Sequence, residues 1–282
     1  MKLAHLILAH NQPEQLGRLI NRLQHPDVDI YIHLDKKTDP EPFRHLTDIK
    51  NVYLIRNNIK VYWGTYAIVK ATLNSFNEII HSGKEYQYLN LLSGQDYPLK
   101  PQQALHDFLA QNPGKAFMNY LHFDTEWQEA LSRVQEYHLN NYRIPGKFLL
   151  QKLVNKVLGK REMPDGMVPV GRSQWFTIAM DCVRYIDEYW QEHPKFRHFI
   201  KLTWGPDEFV FQTILFNSQY REAMVNNDLR YIDWSGGGVS PKMLTDSDAD
   251  ALAASGKYFA RKFDISRDPE ILNKLDELIK QV

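Results

Sequence analysis

Three short apolar runs punctuate the first hundred residues: KLAHLILAH (2–10), VDIYIHLD (28–35) and YQYLNLLS (86–93). The first is apolar, short and bounded by Asn-Gln-Pro, which suits a buried strand, and the other two read as further strands. Between the first two, PEQLGRLINRLQ sets Leu16, Leu19, Ile20 and Leu23 at helical spacing behind Pro13, a residue suited to a helix start. VYLI (52–55) adds a short strand, and a helix is expected over 66–80. Strands alternating with helices in this order predict an α/β fold, a mostly parallel, Rossmann-like sheet flanked by helices.

In such sheets ligands bind beyond the carboxyl ends of the strands. The tails AHNQ, HLDKKTD and SGQDYP are all polar, and together they suggest a binding rim. His10 and His33, near strand ends, read as structural hydrogen-bonding residues. From about 122 to 168 the sequence turns aromatic and basic, which suits a helical insertion able to close over a substrate; its stretch from Lys152 to Arg161 reads as a solvated helix face. Beyond it come a strand ending VPVGRSQWFTIAM, the helix CVRYIDEYWQEH, the segment LTWGPDEFVFQTILF, a strand in DLRYIDW, the loop SGGGVSP and two closing helices.

With 282 residues, 43% of them hydrophobic, one α/β domain over 1–282 accounts for the chain. The 34 basic and 34 acidic residues cancel, which argues against a nucleic-acid partner. The single cysteine, Cys182, excludes an intrachain disulfide and reads as a small buried hydrophobe. No run approaches the ~18 apolar residues that span a bilayer. The expectation is a cytoplasmic protein, with at most peripheral contact at the inner face of a membrane.

No phosphate-binding glycine loop, zinc-protease helix or hydrolase elbow is present. TDSDADALAASG places Asp246, Asp248 and Asp250 at alternate positions. Such acids either hold a divalent cation or cap the alanine-rich helix behind them, and capping is the simpler reading. In WGPDEFVFQTIL, Pro206 suits a first helical position, with Asp207 and Glu208 in the first turn of an apolar helix. A helix N-terminus favours an ionised carboxylate, so the same placement serves a cap or a general base.

LLSGQDYPLK, GRSQWFTI, WGPDEFVFQTIL and GKYFARKFD occur in the order of related blocks in the core-2/I-branching N-acetylglucosaminyltransferase and peptide O-xylosyltransferase family, family 14 of the glycosyltransferases. HLDKKTD and VYWGTYAIVKATLNS also resemble its early segments, so the likeness spans about residues 3 to 264 of what looks like a compact, bacterial-type member. The resemblance implies a GT-A-like fold and inverting transfer of N-acetylglucosamine or xylose from a UDP-sugar to a hydroxyl of a glycan or glycolipid acceptor, in cell-surface polysaccharide assembly. No metal cofactor is implied. By the same resemblance Glu208 is the base, and Arg230 and Lys262 neutralise the donor diphosphate. Asp35, Tyr62 and Trp63 match the nucleotide side. Asp96, Ser173, Gln174 and Trp175 match the donor and acceptor cleft, with Asp207 beside the base and Arg133 a loosely aligned acceptor contact. Two alternatives stand: a metal-dependent transferase using Asp246 and Asp248, and a glycan-binding relative without turnover.

Overall fold

The computed structural model describes residues 1–238 and 240–280. Their strands are β1 (Leu3–Ala9), β2 (Val28–Leu34), β3 (Val52–Leu54), β4 (Tyr88–Ser93), β5 (Asp96–Pro98), β6 (Ala116–His122), β7 (Val170–Ala179), β8 (Met224–Asn226), β9 (Arg230–Ile232) and β10 (Phe259–Arg261). The helices are α1 (Pro13–Arg22), α2 (Tyr66–Ile80), α3 (Gln102–Ala110), α4 (Leu131–Gln135), α5 (Lys147–Leu158), α6 (Met180–Glu192), α7 (Pro194–Lys201), α8 (Val210–Phe216), α9 (Ala249–Ala254) and α10 (Glu270–Lys280). The chain divides into two units, one of residues 1–56, 85–114 and 229–282, the other of residues 57–84 and 115–228.

In the first unit the strands β3-β2-β1-β4 lie in that order, all parallel. Leu3 stands opposite both Val28 and Tyr88, so the three apolar runs start level. Their side chains are buried on both faces, with His5, Asp29, His33 and Asn90 buried among the apolar ones. Helix α1 starts at Pro13 and buries Leu16, Leu19 and Ile20. Arg18 and Arg22 on its other side pair with Asp276 of α10, which also accepts a hydrogen bond from the Tyr97 hydroxyl at 2.6 Å. A small second sheet, β5-β10-β9, sets Arg261 opposite Asp96.

The second unit holds β7-β6-β8, with β6 antiparallel to β7 and parallel to β8. Thr65 caps α2, its hydroxyl accepting from the Ala67 amide at 3.2 Å. Phe76, Phe176 and Phe211 meet ring to ring within 5.6–6.3 Å and anchor α2 and α8 on β7. Cys182 is fully buried, and burial pushes its thiol up to about 12, in keeping with a hydrophobic role.

The α/β class and the expected strands and helices are as read from the sequence. The patterning above predicts no strand at β5, β6, β8 or β10. Three of these are three residues long, and half of β6 is only partly buried, so none carries a strong period. No helix among the described residues is long and apolar enough to cross a membrane.

Candidate active site

Asp207 and Glu208 do not open the apolar helix. Gly205 takes a left-handed conformation (φ 56°), Pro206–Glu208 make a single 3-10 turn, and Phe209 (φ −145°, ψ −19°) breaks the chain before α8 begins at Val210. The expected placement in the first turn of α8 is therefore corrected, and the dipole of that seven-residue helix does not account for the charge state of either acid. Gly205 is required by its positive φ, and a Cβ there would come within 3.0 Å of Arg133 Nη1. Behind the turn, a Cβ at Gly171 of β7 would overlap the backbone of Glu208 and Phe209.

The turn sends the two carboxylates opposite ways. Asp207 is buried, and its Oδ1 has no hydrogen-bond partner among the described residues. Burial, then the adjacent charge of Glu208, push its carboxyl up to about 7. The Glu208 side chain is 32% exposed, and its Oε2 accepts from Arg133 Nη1 at 2.5 Å. Among the described residues its Oε1 accepts no hydrogen bond.

Arg133 is held on all sides. Its guanidinium lies 4.7 Å from the Trp127 ring centroid and 4.5 Å from that of Trp204, and Nη1 also donates to the Gly205 carbonyl at 3.2 Å. A planar cation packed against two indoles, with both hydrogen bonds fixed in direction, orients the carboxylate it touches. The resemblance gives Arg133 an acceptor contact; here its partner is the expected base.

Tyr62 and Trp63 fall beside this turn. The Gly205 amide donates to the Gly64 carbonyl at 3.0 Å, which brings the Trp63 ring edge-on to Trp204 at 6.0 Å and leaves it 67% exposed. The guanidinium of Arg143 lies over the Tyr62 ring at 4.0 Å. Ser173, Gln174 and Trp175 occupy an irregularity in β7: Met118 pairs with Phe176 and Tyr120 with Arg172, so three residues on β7 face one on β6. Such bulges lift side chains off the ladder and re-aim them. Gln212 of α8 fixes this one, its Nε2 donating to the Ser173 carbonyl at 2.5 Å.

The remaining expected residues belong to the first unit. Asp35 follows β2, closing a turn by accepting from the Lys37 amide at 2.9 Å and facing Lys37 Nζ at 3.3 Å. Asp96 is buried, accepting from the Ser93 amide at 3.1 Å and lying 3.5 Å from Arg261 Nη1. Arg230, expected beside the donor diphosphate, opens β9. It is 3% exposed, with Nη2 donating to Asn90 Oδ1 at 2.6 Å and to the Leu91 carbonyl at 2.7 Å, and so joins β9 to β4. Lys262 is half-buried, and burial together with the charge of Arg261 lowers its pKa from the usual lysine value.

The acids after Thr245 form a capping box, Thr245 and Asp248 bonding each other's backbone, while Asp248 also pairs with Lys242 at 2.6 Å. Asp246 faces Lys274 at 3.3 Å. A group with metal-ligand spacing is His25, Asp27 and His106, one donor atom from each lying within 4.8 Å of the others. It contains none of the expected site residues.

Residues 3–254 match the family described as Core-2/I-Branching enzyme. The chain belongs to that family. Among curated relatives of this family member are xylosyltransferase 2 of Rattus norvegicus, 26% identical over 98% of this chain and 33% of the relative, and xylosyltransferase of Ciona intestinalis, 24% identical over 98% and 34%. The chain thus spans about a third of the length of these relatives. Of solved structures, Staphylococcus aureus TarS 1-349 aligns with 65% of this chain and 48% of that one, at 11% identity and a TM-score of 0.35.

Sequence reasoning missed Trp127 and Trp204. Trp204 adjoins the Gly-Pro-Asp-Glu run, where an aromatic before two acids is a usable signal; Trp127 carries none, because its role arises only through Arg133.

Proposed function

We propose that this chain is an inverting glycosyltransferase that moves a sugar, xylose or N-acetylglucosamine, from a UDP-sugar to an acceptor hydroxyl, with Glu208 as general base. The observation that carries the reading is the carboxylate of Glu208 itself. It is part-exposed, with one oxygen fixed by a cation held between two indoles and the other open to a hydroxyl. Family membership and the xylosyltransferase relatives support the reaction class.

In this reading Glu208 takes the proton of the acceptor hydroxyl as its oxygen attacks the anomeric carbon. The bond from that carbon to the diphosphate breaks, UDP departs with the electron pair, and the configuration inverts. Lys262 is the cation proposed for the leaving diphosphate. Burial and Arg261 both disfavour its charge, and an anion beside it relieves the two penalties together. Arg230, held through Nη2 by Asn90 and Leu91, is proposed with Lys262 as a second positive charge that compensates the diphosphate. The exposed Trp63 and the bulged Ser173–Trp175 segment offer an aromatic face and polar groups of the kind that receive a sugar.

Glu208→Gln is expected to retain UDP binding and to lose about two to four orders of magnitude in UDP release from UDP-xylose or UDP-N-acetylglucosamine with acceptor present. Turnover close to wild type would remove Glu208 from the role. Running the assay in EDTA separates the metal-free reading from a metal-dependent one: full activity supports the former, and loss restored by manganese supports the latter.

A further inference from the structure

Helix α5 is assembled with its polar side inward. Gln151 and Asn155 face the body of the unit, where Gln151 Oε1 accepts from the Leu139 amide at 2.9 Å. Asn155 bonds both ways with the Tyr137 backbone, at 2.7 and 3.0 Å. None of the twelve residues is buried. The outward stripe is apolar: Leu149, Leu153 and Val157 are 76%, 57% and 71% exposed, with Leu150 and Leu158 at its edge. These positions lie at i, i+4 and i+8, on one face of the helix. Lys152 and Lys156 run along the flank of that stripe at the same spacing, and Lys160 follows. From Lys147 to Arg161 the chain has five basic residues and no acid, although the whole chain is neutral.

We propose that α5 is an interfacial helix that seats this protein on an anionic lipid surface, its apolar stripe among the acyl chains and its lysines at the headgroups. A contiguous exposed apolar face needs a partner. The charge pattern selects which one: an apolar face flanked by cations alone matches a bilayer carrying anionic headgroups. A second copy packed α5 against α5 would bring these lysines no opposite charge, because the segment holds no acid. At ~1.5 Å per residue the helix is about 18 Å long, enough to lie in the interface and too short to cross it. The sequence reading took Lys152–Arg161 as a solvated face. Arg161 is instead internal, donating to the carbonyls of Glu136, Leu202 and Phe199, while the three lysines before it stay exposed.

The test is sedimentation of the full chain with vesicles of phosphatidylcholine alone or mixed with phosphatidylglycerol. The wild type is expected to bind the mixed vesicles at least tenfold more tightly than the neutral ones, and to be released by salt. The triple variant Leu149→Ser, Leu153→Ser, Val157→Ser should lose binding with its circular dichroism and Tm unchanged, since these side chains are already in water. Should that variant unfold, Lys152→Gln with Lys156→Gln reports independently, with a loss of about fivefold for each lysine removed. Absence of wild-type binding to the mixed vesicles at low salt overturns the proposal. So does self-association in analytical ultracentrifugation that the serine variant abolishes while neither form binds vesicles. Because binding is read without turnover, this result is independent of the role of Glu208.

Discussion

Helices α5 and α8 are both rich in apolar residues, and they meet opposite fates: every residue of α8 is buried and none of α5 is. The difference lies in where the polar side chains find partners. In α8, Gln212 and Thr213 are taken up by the backbone of β7, Gln212 Nε2 at the Ser173 carbonyl and Thr213 at Val170, so these groups enter the core bonded, with Gln212 Oε1 alone of the two side chains left without a partner among the described residues. In α5, Gln151 and Asn155 are satisfied by the segment at 137–139, and that docking turns the leucines outward. Apolar content does not decide which face a helix buries. A polar side chain with a fixed backbone partner does.

This contrast can be broken by substitution. The largest stability effect is expected from Phe211→Ala, which empties the centre of the Phe76–Phe176–Phe211 cluster and should cost about 3–5 kcal/mol in denaturant unfolding. A cost under about 1 kcal/mol would mean that α8 is not the tightly packed partner described. Next, Asp207→Asn should make the protein more stable at pH 8, by roughly 1–3 kcal/mol. The native carboxyl titrates near 7 and the unfolded one near the ordinary aspartate value of ~3.9. The folded state therefore holds this proton more tightly. The stability that Asp207 contributes when protonated is complete below about pH 4 and is lost as pH rises through about 7. The advantage of asparagine should accordingly shrink as pH falls from 7 to 4; an advantage that does not change with pH would contradict the buried placement of Asp207.

Arg133→Lys should lower turnover by about 10- to 100-fold, because an ammonium offers neither a planar cation to Trp127 and Trp204 nor a fixed direction to Glu208. Equal activity in the two proteins would detach the ion pair from catalysis. The smallest effect belongs to α5: Leu153→Ala should shift stability by less than about 0.5 kcal/mol, the usual range for surface positions. A large loss would show that the leucine stripe is covered in the free protein.

Much of the fold was legible because its strongest signals are local. Leu16, Leu19 and Ile20 announce α1 by spacing, and the apolar run at 3–9 announces a buried strand. Glu208 stood out for a local reason as well, two acids following Gly-Pro. What stayed hidden is non-local. Arg133 meets Glu208 across 75 positions of chain, and no periodicity reports such a pairing. The bulge that lifts Ser173, Gln174 and Trp175 was invisible because the register of β6 against β7 is set jointly by both strands and by Gln212. The amphipathic pattern of α5 was present in the sequence, but the side that meets the protein depends on Tyr137 and Leu139, which lie outside the helix.

The stacking of Arg133 between Trp127 and Trp204 gives the molecule a built-in optical reporter. Indole emission responds to a charge held against its ring, so any event that neutralises Glu208 or pulls the guanidinium toward a ligand should alter the fluorescence of these two tryptophans. The occupancy of the proposed base can thus be followed by light in the unlabelled protein, as the part of the signal lost in the Trp127→Phe, Trp204→Phe double variant.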